Sequence, residues 1–406
     1  MTQRTDILIV GGGLVGTSLA LALDAAGRRA TLLEAAPPRT APVGSPAGDD
    51  NDRNLVLARA SVNGLQALGV WPQLERAAGT IRNVEISRAG EFGKLRMTAA
   101  DAGVAALGRV VPGRVLGAAL EHRLAACQSI ERLAPAKLLA LAPTEAGWRA
   151  RIAADGGERE LDARLVIGAD GSDSFVRAEV GIAARQHDYA QSLFVCTVAC
   201  GRDIPDCAFE RLTDEGPVAL LPLPNQRRGL VLTVASDRHA DVAAMDDAAF
   251  MALAQHRFGW KLGRLSRPGK RFVHRIRRVL ADTLTAPRVV LVGNAAQTVH
   301  PVGAQGFNLG LRDALTLAEL VADGGDPGAA DVLRDYAARR QPDRDGVLAF
   351  SHGLIALGCL ALPALAPLRS LALLALGGVA PLRHAVARRG MGFRGTPPAA
   401  VLEIGP

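Results

Sequence analysis

The sequence predicts a mixed α/β protein (α+β in its second half). It should contain a Rossmann-like dinucleotide-binding unit, a second unit built on an antiparallel sheet, and a C-terminal helical segment. Three observations carry this. A Gly-rich fingerprint lies between a buried strand and a helix at the N-terminus. The β-rich runs LFVCTVAC, PVALLPLP and GLVLTVAS recur over residues 193–234 and have the texture of an antiparallel sheet. Beyond residue 345 the chain is almost free of charge for more than twenty residues.

With 406 residues, 49% hydrophobic and 21% charged, the chain is globular and long enough for two or three units. A net charge of +7 makes the surface basic. Aromatics are only 4% and the arginines do not form a run, so a nucleic-acid partner is not expected. Five cysteines without CxxC spacing argue for a reducing compartment and against zinc or a disulfide scaffold. Cys196 and Cys200 fall on one strand face and read as buried thiols. The N-terminal apolar run is too short for a signal peptide.

Residues 6–10 (DILIV) read as a strand buried on both faces. Gly11-x-Gly13-x-x-Gly16 follows and opens a helix; a second strand at 30–33 ends at Glu34. The glycines allow a tight turn and close approach of a pyrophosphate, and the helix N-terminus faces its charge. The acid suits a ribose hydroxyl. Residues 37–54 read as a long loop ending near Arg53, and a helix over 61–68 takes Ser61 as its N-cap. Arg114 opens a helical stretch over 115–126. Arg53 and Arg114 each read either as phosphate-side or ribityl-side donors or as plain surface arginines.

Strands are predicted within 84–97 and 148–161, with turns at Ala89-Gly90 and Asp155-Gly156-Gly157. A strand over 164–168 runs into Ala169-Asp170-Gly171-Ser172, a turn that brings a carboxylate to a sheet edge. A helix over 245–257 and a basic strand over 270–280 precede a third Gly-rich segment. In that segment a strand at 289–292 leads through Gly293, Asn294, His300, Pro301, Gly303 and Gly306 to a helix from about Asn308. Its free backbone N–H groups suit an anion or a polarised carbonyl of a flat ligand. Without a second GxGxxG, no separate nicotinamide domain is indicated. Residues 345–369 reach transmembrane length, but Pro363, Pro367 and glycines interrupt them. A helical hairpin docked on the protein, a partner or a membrane surface is expected.

In this order, the three glycine segments resemble the single-component FAD-dependent aromatic hydroxylases, in their ubiquinone-biosynthesis branch. VLVGNAAQTVHPVGAQGFNLGLRD, FERLTDEGPVALLPL, FGWKLGRLSRPGKR and YAARRQPDR carry a closer match to the 2-polyprenyl-6-methoxyphenol hydroxylases of that branch. The resemblance implies an FAD-binding domain at 1–78, 101–182 and 281–346, a substrate domain at 79–100 and 183–280, and an apolar helical region at 347–406. It implies FAD held by Gly11, Gly13, Gly16, Glu34, Arg53, Arg114, Asp170, Gly293, Asn294, Gly303, Gln305, Gly306, Phe307 and Asn308, with the isoalloxazine against the 300–308 loop. The wider family carries Asp where this chain has Asn294. The implied reaction hydroxylates a polyprenyl phenol with O₂, through NAD(P)H-reduced flavin and a C4a-hydroperoxide. Leu221, Pro222 and Pro301 are candidates for the substrate face. A base for the phenol is expected, yet none stands out: His300 reads better as structural. A hydroxylase of another ring position or phenol, and a non-catalytic lipid-binding scaffold, remain alternatives. The implied partners are other ubiquinone-biosynthesis proteins and a membrane surface met by the C-terminal region. The expected location is cytoplasmic, peripheral on the inner face of the cell membrane.

Overall fold

The computed structural model describes residues 3–37, 54–154, 156–358 and 363–402. Its N-terminal strand, Gln3–Val10, ends in four buried apolar residues. It pairs in parallel with Ala30–Leu33 on one side and Gly157–Gly168 on the other. Ile130–Leu133 and Val289–Leu291 extend this parallel sheet outward. Strands buried on both faces read as unbroken apolar runs, which is why ATLL and VVL form strands here. In register, Val10 lies opposite Gly168, and Gly168 opposite Leu291. The three glycine segments therefore leave the sheet side by side, at the carboxyl ends of adjacent parallel strands.

Helix Leu14–Ala25 packs against Gly113–Leu124 and Gln305–Leu320. The last of these buries Leu309, Leu311, Leu315 and Leu317, each worth about 1.5–3 kcal/mol of apolar burial. It begins at Gln305, three residues before the expected start at Asn308. Helix Arg59–Ala67 also starts early, on Ala58. Ser61 is thus no N-cap; its hydroxyl is buried inside the helix without a partner.

A second sheet runs from Gln297–Thr298 through Phe272–Ala281, Ala184–Cys200, Arg227–Ala235, Val218–Pro222, Cys207–Leu212 and Asn83–Arg88 to Lys94–Thr98. It is antiparallel except where Cys207–Leu212 pairs in parallel with Asn83–Arg88. Cys196 is buried and Cys200 partly buried in its core, as expected. A small sheet joins Asn54–Ala58, Gly108–Pro112 and Gly79–Ile81, whose strands flank Asn83–Arg88 and Lys94–Thr98 along the chain.

The expected apolar hairpin has a different form. Its first part belongs to the long helix Ala330–Gly358, which carries Pro342 inside. Two shorter helices follow, Ala366–Gly378 and Ala380–Gly390, bent by 88° to each other. Among the described residues no single helix is long and apolar enough to cross a membrane. Leu373, Leu376, Ala387 and Met391 of this region pack with Ile86, Leu95, Met97 and Leu221 of the second sheet.

Candidate active site

At the first strand end, Gly11 adopts φ +107°, and a Cβ there would lie 2.6 Å from the Ala169 carbonyl oxygen. A Cβ on Gly16 would come within 1.9 Å of the Gly11 carbonyl oxygen. These two glycines are required by the packing of turn, helix and neighbouring strand. Gly13 is different: a Cβ there meets nothing within 4 Å. It caps helix Leu14–Ala25 without a side-chain bond, so the first N–H groups of that helix face open space. Glu34 accepts from Gly12 N at 2.7 Å and from Ala36 N at 2.8 Å, which fixes the turn. Each carboxylate oxygen has a second lone pair, so the acid can still accept from a sugar hydroxyl.

At the second strand end, Asp170 accepts from Val176 N at 2.9 Å through Oδ2, while its Oδ1 is buried without a partner. Arg177 then ties this turn to the third one. It donates to the Ser172 and Ala295 carbonyls at 2.9 and 2.8 Å. The third turn has Gly293 at φ +59°, its N–H donating to Asp313 Oδ2 at 3.1 Å. The Asn294 side chain is exposed at that turn. An uncharged amide there can donate as well as accept, which a carboxylate cannot.

Behind this turn lies a buried ionic cluster to which the sequence reading gave no role. Asp313 accepts from Arg340 at 2.7 Å and from Gln297 at 2.6 Å. Asp343 accepts from Arg340 at 2.8 Å and from Arg312 at 2.7 Å. All four charged residues are at most 3% exposed, so every charge needs its partner. Burial acts to raise the Asp343 carboxyl pKa, and Arg312 with Arg340 overcomes it and holds the group below its ordinary value. Tyr336 donates to the Leu291 carbonyl at 3.0 Å, and Arg344 donates to those of Ala281 and Ala296. The YAARRQPDR segment is thus a clamp on the third strand end.

The loop from His300 to the helix start carries two left-handed residues, Gly303 (φ +68°) and Ala304 (φ +49°). For Ala304 this conformation costs about 1–2 kcal/mol. It turns the chain so that helix Gln305–Leu320 starts without a side-chain cap. The N–H groups of Gln305, Gly306 and Phe307 have no acceptor within the helix. A Cβ on Gly306 meets nothing within 4 Å. Gln305 donates to the Gly303 carbonyl at 2.9 Å, and its Oε1 is buried and unpartnered. Phe307 packs on the core of the parallel sheet, leaving its backbone for a ligand. The Asn308 side chain is committed elsewhere. It accepts from Ala58 N at 2.9 Å and donates to the Val56 and Ala304 carbonyls at 2.8 and 2.7 Å. Its role is to fasten strand Asn54–Ala58 to the loop, not to reach a cofactor through its amide.

Arg114 is half-buried in the first turn of Gly113–Leu124, and Arg53 lies outside the described residues. His300 is buried, and burial pushes its pKa down to about 4. Its Nδ1 accepts from Val302 N at 3.1 Å, which leaves the proton of the neutral ring on Nε2, 3.4 Å from Gln191 Oε1. These bonds fix the loop, in keeping with a structural histidine.

Above the loop opens a cavity of about 1160 Å³, the part open to solvent included. Pro301, Val302, Gly303, Ala304 and Gln305 form one wall. Val84, Ile86, Ala208, Ala219, Leu221 and Val231 of the second sheet form another. Ala387, Gly390 and Met391 close it from the C-terminal helices. Leu221 and Pro301, the candidates for the substrate face, line the cavity. Pro222 does not, because the side chain alternates to the other face and its carbonyl lies against Gly79. Glu210 also lines the cavity.

A flat dinucleotide fits this arrangement: an uncapped helix start, glycines and an unpartnered Asp170 oxygen sit at the ends of adjacent parallel strands, and the second uncapped helix start borders the apolar cavity. The family described as FAD binding domain matches residues 4–351. Ubiquinone hydroxylase UbiL of Rhodospirillum rubrum is 36% identical over 405 residues, covering 99% of this chain and 91% of the relative. The 3-demethoxyubiquinol 3-hydroxylase of Escherichia coli is 34% identical over 346 residues, covering 84% of this chain and 86% of the relative. The p-nitrophenol 4-monooxygenase PnpA from Pseudomonas putida superposes with a TM-score of 0.80 at 18% identity. That alignment covers 97% of this chain and 99% of the other, a likeness of fold. Because the family match runs through all three glycine-bearing strand ends, the chain belongs to the FAD binding domain family and is an FAD-dependent monooxygenase.

Proposed function

We infer that the protein hydroxylates the aromatic ring of a polyprenyl phenol, 2-polyprenyl-6-methoxyphenol or a close analogue, in ubiquinone biosynthesis. The observation that carries this is the apolar cavity, bounded at one end by the Pro301–Gln305 backbone and at another by the C-terminal helices. A phenol ring fits against the loop, and a prenyl tail can run along Ile86, Leu221 and Met391 towards helix Ala380–Gly390. The similarity to ubiquinone hydroxylases supports the same substrate class. Bound FAD supplies electron transfer from NAD(P)H and activation of dioxygen.

The chain's own residues bind, orient and exclude water. The N–H groups at the start of helix Leu14–Ala25 would hold the pyrophosphate, Glu34 the ribose, and Asp170 and Asn294 the ribityl side. The positive end of helix Gln305–Leu320 would stabilise negative charge on a flavin held at the loop. The apolar walls keep water from the reacting atoms.

We extend the reading to location. Leu368, Leu371, Leu374 and Leu382 are exposed on the two short helices and Val379 at the bend between them, beside exposed Arg388 and Arg389. Apolar side chains flanked by cations suit an anionic membrane surface. The proposed location is peripheral, on the cytoplasmic face of the cell membrane, where a prenylated substrate resides. The test uses purified, FAD-loaded protein with NAD(P)H, dioxygen and a short-chain prenyl phenol, products being read by mass spectrometry. A product heavier by one oxygen is expected. Binding of the phenol without oxygen incorporation would favour the scaffold alternative and sink the enzyme reading of this substrate class. Prenylphenols accumulating in a deletion strain identify the ring position.

A further inference from the structure

Strand Cys207–Leu212 sends Phe209 into the core of the second sheet, so by alternation its neighbour Glu210 faces the cavity. The register places Glu210 between Ile86 and Ala219. From the Asn83–Arg88 strand, Val84 and Ile86 point to the same side; from Val218–Pro222, Ala219 and Leu221 do so. No hydrogen bond or ion pair joins the Glu210 carboxylate to another described residue. Its charged neighbours in sequence and register lie on the opposite face of the sheet: Arg211, and Glu85 paired with Arg96 and Lys261. Across the cavity the other titratable group is His300, whose Nδ1 is already taken by Val302. Glu210 is therefore a half-buried carboxyl without a protein partner, on the wall of a largely apolar cavity that opens to solvent and that it shares with the Pro301–Gln305 loop.

A structural role does not account for this placement. An ionisable group set against apolar walls without a partner destabilises the fold, and such groups concentrate at working sites. We propose that Glu210 is the catalytic base that takes the proton from the substrate's phenolic hydroxyl during ring hydroxylation. This inference rests on the phenol reading above. The phenolic O–H bond breaks and its proton moves to the Glu210 carboxylate. The freed electron pair on oxygen moves into the ring, towards the carbon that accepts the oxygen atom. Dioxygen supplies that atom, and NAD(P)H the two electrons that reduce its other atom to water. When the oxygenated carbon loses its hydrogen as a proton, the Glu210 carboxyl returns its own proton to the phenolic oxygen. The base is thereby regenerated.

Desolvation pushes the Glu210 pKa up to about 7. A base with its pKa near the working pH balances its charged fraction against its proton affinity. The folded state holds the proton between the ordinary carboxyl pKa and about 7, so stability from this group is lost as pH rises through that window.

The test compares FAD-loaded wild type with Glu210→Gln and Glu210→Asp. Product formation is followed against pH, and binding of a prenyl phenol and of its O-methyl ether is measured by equilibrium dialysis. In the wild type, product formation should climb as pH rises towards about 7 and then level. Glu210→Gln should lose about 100-fold or more in product formation, and with it that pH limb. It should also lose the preference for phenol over ether that appears in the wild type above about pH 7. Its thermal midpoint should rise relative to wild type near pH 8, but not near pH 5. Glu210→Asp keeps the acid and should keep both the limb and part of the rate. Unchanged rate, pH profile and phenol preference in Glu210→Gln would overturn the assignment while leaving the phenol reading intact. A wild type that neither binds nor converts any phenol would overturn both.

Discussion

A Cβ at Gly16 would lie 1.9 Å from the Gly11 carbonyl oxygen, whereas one at Gly306 would meet no atom within 4 Å. The two glycines answer to different constraints, one to the fold and the other to the ligand. Gly306→Val should therefore leave the melting temperature of FAD-free protein unchanged. It should weaken FAD binding by roughly 1–3 kcal/mol, about five- to hundredfold. Gly16→Ala should lower stability even without FAD, because backbone must move. Flavin absorbance and calorimetry on both variants decide; full FAD occupancy in Gly306→Val would remove that position from the flavin site. His300 adds a pH dependence. Its folded pKa of about 4 lies below the ordinary 6.5, so the native state prefers the neutral ring. Its contribution is complete above about pH 6.5 and is lost as pH falls towards 4, roughly 3 kcal/mol at most. An NMR titration of the His300 ring should give a midpoint near 4; a value near 6.5 would contradict its burial.

Among the elements, helix Ala330–Gly358 has a role that its composition hides. Tyr336 bonds to the Leu291 carbonyl, Arg344 to those of Ala281 and Ala296, and Arg340 with Asp343 holds Asp313, the acceptor of Gly293 N, so the helix braces the turn that follows Val289–Leu291. Removing one partner strands a buried charge. Arg340→Met should cost about 3–5 kcal/mol, mostly from the exposed need of Asp313 and Asp343 for a cation. Urea midpoints at neutral pH measure it, and a loss below about 1 kcal/mol would mean that water compensates the cluster. Because Asp313 also accepts from Gly293 N, the same change should reduce FAD content.

For the whole molecule, the exposed leucines and one wall of the cavity come from the same C-terminal unit. Its inner faces supply Ala387 and Met391 to the cavity, and its outer faces present Leu371, Leu374 and Leu382. An apolar surface thus lies on the outer side of the helices that close the cavity. Changing Leu371 and Leu382 together to Ser should lower partitioning onto anionic vesicles about tenfold or more, with FAD content unchanged. Co-sedimentation tests this. Equal partitioning of the double variant would assign vesicle binding to another surface.

The sequence by itself determined the parts whose chemistry is local. The fingerprint at Gly11–Gly16, the Asp170 turn and the Gly293–Gly306 loop each combine a strand, a conformational requirement and a helix start within a few residues. Their order along the chain was enough to identify a dinucleotide site. The apolar character of the C-terminal region was legible too, but its division into one long and two short helices was not, since it depends on where Leu373, Leu376 and Met391 find the second sheet. The true helix starts, two residues before Ser61 and three before Asn308, were not legible: Arg59 N and Ala60 N bond to the Leu107 and Met391 carbonyls, and the left-handed Gly303 and Ala304 turn the chain into the helix at Gln305. Only the tertiary structure decided which face of the Cys207–Leu212 strand is core and which is cavity. A period of two says that Phe209 and Glu210 point opposite ways, not where either points. The parallel pairing with Asn83–Arg88 and the closure by Ala387 and Met391 turn the Glu210 side into an apolar chamber. A partnerless carboxyl gains its chemistry only from surroundings that come from distant parts of the chain.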